Sequence, residues 1–274
     1  MEGSPNMRLC FLWWWDRAEE IYPYWRDGLR AAIEYIGREN DVDIYLGEME
    51  LDEEYDAILF WGDSNCSFFN VMDKYKGKKG IILTTDPHNM DNLKKLDVVF
   101  CESQPIYDAV RAQGIHAVKA FGTDSDFYEP DVKVKKDIEY FYPATFSPWK
   151  RQSTIAHYGN KLTCIGTVQP DGQEELEACK KAGVNVEIGY FPAEKIREYY
   201  QRAKNVPIPA IHGSERTVLE AMACNIVPLV NTDNKRALSY VLEYAEAKVI
   251  TPRDFIESFY SHKRYAQKIL KGFQ

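Results

Sequence analysis

Short strand-like runs, several of them continuously apolar rather than alternating, recur along the first half of the chain: residues 7–15 (MRLCFLWWW), 57–61 (AILFW), 80–85 (GIILTT), 98–101 (VVFC) and 118–121 (VKAF). A strand that is apolar at nearly every position must be covered on both faces. A parallel sheet with helices on either side provides that cover. Residues 42–48 read as a further strand, and residues 21–38 and 105–113 read as amphipathic helices between strands. The β-α-β alternation implies right-handed crossovers and a doubly wound sheet, so the fold class is α/β.

The pattern breaks at residues 131–137 (DVKVKKD), a short charged linker, and then restarts. Strands are expected at 138–142, 161–166 and 185–188, and helices at 149–158, 173–182 and 193–203. The result is two Rossmann-like units, residues 1–130 and 131–252, with a ligand cleft expected between them at the strand C-termini. Residues 253–274 carry helical character over 253–271 and are read as a helix bracing the first unit. Its basic and aromatic residues, Tyr260, Lys263, Arg264, Tyr265, Lys268 and Lys271, also hint at surface association.

Composition excludes several classes. A net charge of −8 argues against a general nucleic-acid binder, while leaving room for a local basic pocket. No apolar run reaches the length of a membrane span. The N-terminus lacks a signal-peptide pattern, and residues 1–6 are set apart as a leader. Six scattered cysteines without a C-x-x-C pair suit a reducing cytoplasm, and five dispersed histidines show no structural metal site.

Residues 209–231 (PAIHGSERTVLEAMACNIVPLVN) are the most informative segment for function. They read as a loop, a helix over 217–224 with Ser214 as N-cap and Asn225 as C-cap, and a buried strand over 226–230. His212, Gly213, Ser214 and Glu215 therefore sit where a helix opens beyond a strand end. Backbone N–H groups there suit a phosphate, and Glu220, two turns in, can reach a ribose or sugar hydroxyl. An ordinary helix–strand connection would carry the same local pattern.

Four segments together resemble the GT-B glycosyltransferases of the group-one, family-four type. Residues 81–89 (IILTTDPHN) look like that family's strand ending in a Thr-x-His-Asp type loop. Residues 96–130 are similar to its G-x-D-x-x-x-F-x-P stretch, through FGTDSDFYEP. Residues 189–204 (GYFPAEKIREYYQRAK) look like its G-x-hydrophobic-P…Y-Y-x-x-A helix. Residues 212–228 resemble its E-G…E-A-M-A-x-G-x-P donor motif. The likeness covers about residues 80–230. Three features depart from it. The donor motif carries two glutamates; Glu220 matches the second, but His212 stands at the first, with Glu215 as the nearest substitute. Trp13-Trp14-Trp15-Asp16-Arg17 stands where a Gly-rich phosphate loop would follow the first strand. The chain is also short for a two-domain member, which points to a divergent subgroup.

The resemblance implies a cytoplasmic hexosyltransferase. It would move a hexose from a nucleotide diphosphate sugar, with UDP or GDP as the nucleotide, to a hydroxyl acceptor on a glycan, lipid, protein or small molecule. It implies no required cofactor and no metal, so side chains and a helix N-terminus must neutralise the leaving diphosphate. Lys150 and Arg151 (FSPWKRQ) match the family's phosphate contacts; Arg can bind phosphate oxygens bidentately. Gly213, Ser214, Glu215, Arg216 and Thr217 complete the phosphate side, Glu220 the ribose contact, and Tyr190 and Phe191 the base contact. His88, beside Asp86, is the first-unit catalytic candidate. With inversion, His88 or Asp86 is the general base. With retention, which the resemblance favours, the donor phosphate takes the acceptor proton and His88 orients the sugar. Two rival readings remain: a non-catalytic nucleotide-sugar binding protein or partner subunit, and a sugar-nucleotide epimerase or hydrolase of the same fold. The tryptophan run and Trp61 invite a sugar-stacking reading, but alternate strand residues mostly pack into a core. The Asp124-Ser125-Asp126 triplet belongs to the G-x-D-x-x-x-F-x-P turn, not to a metal motif.

Overall fold

The apolar runs become parallel strands in a computed structural model that describes residues 7–13, 18–24, 26–47 and 54–274. Trp14, Trp15, Asp16 and Arg17, and residues 1–6, lie outside the described residues. The chain forms two units, residues 1–121 with 262–274, and residues 122–261. The changes of unit fall at 121/122 and 261/262, against the expected 130/131 and 252/253.

In the first unit, β1 (Arg8–Trp13) is followed by the short helix α1 (Ala18–Ile21), a 3-10 turn Tyr22–Tyr24 and α2 (Gly28–Ile36). The single helix expected over 21–38 does not form. Pro23 lacks an N–H and sits in the 3-10 turn, and Asp27 starts a new helix by accepting a hydrogen bond from the Arg30 N–H at 3.0 Å. Then come β2 (Asp41–Leu46), β3 (Ala57–Gly62), β4 (Lys78–Leu83), α3 (Met90–Leu93), β5 (Val98–Cys101), α4 (Gln104–Arg111) and β6 (Ala117–Lys119). The strands pair in parallel in the order β2-β1-β3-β4-β5-β6. Leu9 to Trp13, Ile81 to Leu83 and Val98 to Cys101 are all buried, as two-sided cover requires. The edge strand β2 is the exception and stays half-exposed.

The second unit contains β7 (Ile138–Pro143), a 3-10 stretch Gln152–Lys161, β8 (Leu162–Gly166), α5 (Gln173–Lys181), β9 (Asn185–Ile188) and α6 (Ala193–Arg202). Two short strands, β10 (Ala203–Asn205) and β11 (Pro207–Ile208), follow, then α7 (Glu215–Ala223), β12 (Leu229–Val230), α8 (Lys235–Glu246) and α9 (Pro252–Phe255). The helix expected at 149–158 is a 3-10 stretch instead. Arg151 enters it in the left-handed region (φ 56°), and Gly159 inside it is non-helical (φ 56°, ψ −137°). β10 pairs with β7, and β11, one residue further on, pairs with β12. The four-stranded sheet runs β10-β7-β8-β9, and β11 and β12 form a separate parallel pair. The strand order therefore reverses beside β7.

The expected C-terminal helix is broken as well. After α9, a π-helical turn Ile256–Tyr260 and the extended Ser261 (ψ 154°) precede α10 (His262–Gly272). α10 packs against α2 in the first unit, with Tyr265, Ala266 and Ile269 buried and the His262 ring 6.0 Å from that of Tyr35. Tyr260 and Tyr265, read from sequence as surface candidates, are both buried. Beyond α10, Phe273 is inserted against the sheet: a Cβ on Gly80 of β4 would stand 2.7 Å from its ring. The Phe100 ring lies 5.5 Å from that of Phe273, and Lys78 Nζ donates to the Gln274 carbonyl at 3.1 Å.

Phe273 thus fills a slot that exists because position 80 has no side chain. Phe273→Ala is expected to cost about 3–5 kcal/mol of stability. Gly80→Val, which closes the slot, should also destabilise, by about 1–3 kcal/mol. Urea denaturation followed by fluorescence tests both; an unchanged midpoint for either variant would contradict this packing.

Candidate functional site

Ligands of open α/β sheets bind outside the carboxyl ends of the strands, where the strand order reverses. In the second unit that point lies between β7 and β10, which runs on into β11. The two loops leaving it are residues 144–151 and residues 209–214. They are joined backbone to backbone by the Ile211 N–H, which donates to the Trp149 carbonyl at 3.0 Å. They are joined through side chains as well. Lys150 Nζ donates to Ser214 Oγ at 2.8 Å, and the Tyr142 hydroxyl at the end of β7 lies 3.5 Å from the same oxygen.

The start of α7 is unusual. Gly213 (φ 68°) and Ser214 (φ 72°) are successive left-handed residues. Glycine suits the left-handed backbone at 213, and a Cβ there would stand 2.9 Å from Lys150 Nζ, the movable end of that side chain. Ser214 occupies the N-cap position, but its side chain caps no helix N–H. The expected cap is therefore corrected. The left-handed backbone turns the hydroxyl away from the helix and towards Lys150, leaving the first N–H groups of α7 without a side-chain cap. At the far end, Asn225 takes the left-handed conformation (φ 62°) just past the helix, as expected for a C-terminal stop. The strand expected over 226–230 shortens to β12.

Three cations stand around this turn: Lys150, Arg216 and Arg236; Arg151 follows Lys150 in the sequence. Arg236 of α8 forms an ion pair with Glu215, and both side chains are nearly buried. Arg216 Nε lies 3.6 Å from Glu220 Oε1, and the Tyr200 hydroxyl donates to Glu220 Oε2 at 3.0 Å. The Arg151 guanidinium has no hydrogen bond or ion pair among the described residues. Two carboxylates thus face three cations, and the turn is positive overall. Burial pushes the Lys150 ammonium down to about 8, and Arg216 and Arg236 push the same way, against the pull of Glu215. A bound anion would reverse that balance.

Glu215 is placed differently from its expected role as a substitute for the family's first glutamate. It is buried, and its carboxylate is held by Arg236. His212 at the matching position is exposed, and its ring has no hydrogen-bond partner among the described residues. Thr217 is buried, with Oγ1 donating to the Pro143 carbonyl at 3.5 Å. Tyr190 is exposed, and Phe191 lies under Lys195 Nζ, 4.7 Å from the ring centroid. The sequence reading missed Asn234 and Arg236. Asn234 is fully buried; its Nδ2 donates to the Gly213 carbonyl at 2.9 Å, and its Oδ1 caps α8 through the Ala237 N–H at 3.1 Å. The signal was present: Thr-Asp-Asn ahead of KRALSYVLEYAE is an N-terminal helix pattern.

In the first unit the order reverses between β1 and β3, and the loop after β4 carries Asp86 and His88. Both are exposed, and no hydrogen bond joins the His88 ring to Asp86. The backbone is held instead by Ser64, fully buried after β3, whose Oγ accepts the His88 and Asn89 N–H groups at 3.0 Å each. Asp86 therefore does not orient the His88 ring by the expected hydrogen bond. Trp13 is buried, with Tyr22 and Trp61 packed edge-on at 5.5 and 5.8 Å, so it is a core residue. Asp124 Oδ1 accepts the Phe127 N–H at 3.2 Å, as a turn residue does. Among the described residues no helix is long and apolar enough to cross a membrane.

No protein-family model matches the chain, and no curated protein matches it in sequence. Solved structures do match in fold. The structure of Anabaena Alr3699/HepE in complex with UDP and glucose aligns with a TM-score of 0.60 at 12% identity, over 97% of this chain and 99% of that one. AviGT4, a glycosyltransferase involved in avilamycin A biosynthesis, aligns with a TM-score of 0.61 at 12% identity, over 98% and 97%. The pneumococcal O-GlcNAc transferase GtfA in complex with UDP and GlcNAc gives 0.53 at 9%, over 79% and 56%. The fold is therefore that of the GT-B glycosyltransferases.

The buried amine supplies a test of the site's electrostatics. The Lys150 amine holds its proton less tightly in the folded chain, to about pH 8, than at its ordinary value of 10.5. The folded state binds fewer protons between those values. The penalty for burying the ammonium is then complete below pH 8 and gone above 10.5. Lys150→Met should be more stable than the parent below pH 8, on the order of 2–3 kcal/mol, with the gap closing as pH rises towards 10.5. Urea denaturation of both proteins across this range measures it. A gap independent of pH would show that Lys150 is not desolvated.

Proposed function

We propose that this protein is a glycosyltransferase that moves a hexose from a nucleotide diphosphate sugar to a hydroxyl acceptor. One observation carries the reading: Lys150 and Ser214, distant in sequence, meet at the switch point of the second unit over an uncapped, left-handed helix start. Lys150, Arg151, the free N–H groups of α7 and Arg216 supply positive charge where a departing diphosphate accumulates negative charge. Lys150, held by Ser214, and the helix start are in place before the substrate arrives, so little of their reorganisation is needed at the transition state. The fold it shares with HepE and GtfA, both solved with UDP bound, supports a UDP donor.

In this reading Glu220 receives the ribose, and Tyr190 and Phe191 flank the base. His212 reaches a phosphate or a sugar hydroxyl with its unpartnered ring. His88 serves the sugar and acceptor side, with Asp86 near it. Retention of anomeric configuration is the favoured outcome, with the leaving phosphate taking the acceptor proton. The charge on Lys150, Arg151 and Arg216 can balance the diphosphate without a metal ion. All six cysteines are free, which fits a reducing cytoplasm.

The ion pair between Glu215 and Arg236 favours a second reading, a nucleotide-sugar binding protein without turnover. With His212 at the first glutamate position and Glu215 occupied, no carboxylate is left to hold the transferred sugar there.

Thermal unfolding with UDP, GDP, ADP, TDP and CDP separates these readings from no binding at all. A ligand at one hundred times its dissociation constant adds about 2.7 kcal/mol, a readily measured shift. One clear responder is expected, and Lys150→Ala should weaken it on the order of tenfold or more. Silence across the panel would remove the donor site. Binding of the responding nucleotide without transfer of its sugar to any acceptor would select the second reading.

A further inference from the structure

Adjacent tyrosines on α6 have opposite assignments. Tyr199 is half-exposed; it stacks on Phe141, with ring centroids 5.2 Å apart, and its hydroxyl donates to Glu187. Tyr200 turns inward. It is fully buried, its ring is edge-on to Phe141 at 5.2 Å and to Tyr128 at 6.0 Å, and its hydroxyl donates to Glu220 Oε2 at 3.0 Å. The other carboxylate oxygen of Glu220 lies 3.6 Å from Arg216 Nε. One oxygen is thus tied to a rigid ring and the other to a half-exposed, flexible cation. Loss of the tyrosine hydroxyl would remove the one contact to Glu220 that comes from a fully buried, packed ring.

We infer that Tyr200 is a positioning residue for Glu220: it fixes the plane of the carboxylate so that the oxygen shared with Arg216 can accept from a ribose hydroxyl, and it thereby sets discrimination between ribose and 2′-deoxyribose. The inference rests on the donor-site reading above and adds to it a residue that touches no substrate. Burial and the neighbouring Glu220 push the Tyr200 phenol well above its usual range, so it remains a donor throughout the working pH range. A site built around a directed acceptor rejects a ligand lacking the matching hydroxyl. A site whose acceptor can rotate towards water or Arg216 rejects it less.

The test compares UDP, GDP, ADP and CDP with their 2′-deoxy counterparts by calorimetry, on the intact chain, in the wild type, Tyr200→Phe, Glu220→Gln and the double variant. Tyr200→Phe retains the ring and its packing, and its thermal midpoint verifies folding. The wild type should prefer the ribonucleotide, and Tyr200→Phe should reduce that preference on the order of tenfold. Combining it with Glu220→Gln should cause no further loss, because both changes act through one carboxylate. A purely structural role would weaken both ligands equally and leave the ratio unchanged, which overturns the inference while the donor site stands. A further loss in the double variant also overturns it. Failure of the wild type to bind any of the eight ligands overturns the donor-site reading, and the inference with it.

Discussion

The reversal of strand order at β7 is the constraint on which the rest of the second unit depends. The chain first builds outward through β8 and β9, and α6 then carries it back across to β10 and β11. Two loops that leave the sheet on either side of β7 have no strand between them, so they meet. That is why Lys150 can reach Ser214 across 64 residues of sequence, and why Trp149 and Ile211 share a backbone hydrogen bond. Every polar contact at the site is secondary to this. Asn234 fixes the Gly213 carbonyl, Arg236 neutralises Glu215, and Tyr200 ties Glu220, but each acts on a turn that topology has already placed.

The arrangement carries a stability cost. A lysine amine is held out of water next to two arginines, and an N-cap serine is diverted from the role that would stabilise its helix. A chain selected only for stability would place an apolar residue at 150 and a capping hydroxyl at 214. Unfavourable local choices concentrated in one place, within an otherwise consistent α/β core, mark a region under a functional demand.

Much of the architecture was legible because two-sided burial leaves a direct trace in composition. LCFLW, AILFW and VVFC cannot be anything but interior strands in a parallel sheet, and they are. Where elements are short, or set by single dihedral angles, the trace fades. β10 and β11, only three and two residues long and carrying Lys204 and Pro207, show no apolar run to read. Arg151 and Gly159 have left-handed values that no helical periodicity announces, so a 3-10 stretch reads as an α-helix. Within the site, residue positions could be read, but partners could not. That Ser214 faces Lys150, Glu215 faces Arg236 and Glu220 faces Tyr200 are facts of spatial neighbourhood, each spanning about twenty residues or more. His88 shows the same limit: Asp86 is close in sequence, yet Ser64, in the turn after β3, holds the loop.

The first unit is discontinuous in sequence, since its last helix and Phe273 come only after the whole of the second unit. During synthesis the six-stranded sheet is therefore complete long before its cover exists. With α10 unmade, the flank of α2 and the slot above Gly80 remain open to water while some 140 further residues are added. Domains generally fold in order as they emerge, but here the earlier one must wait for the later. The nascent chain thus carries an exposed apolar surface for most of its translation, a period in which a chaperone has something to hold.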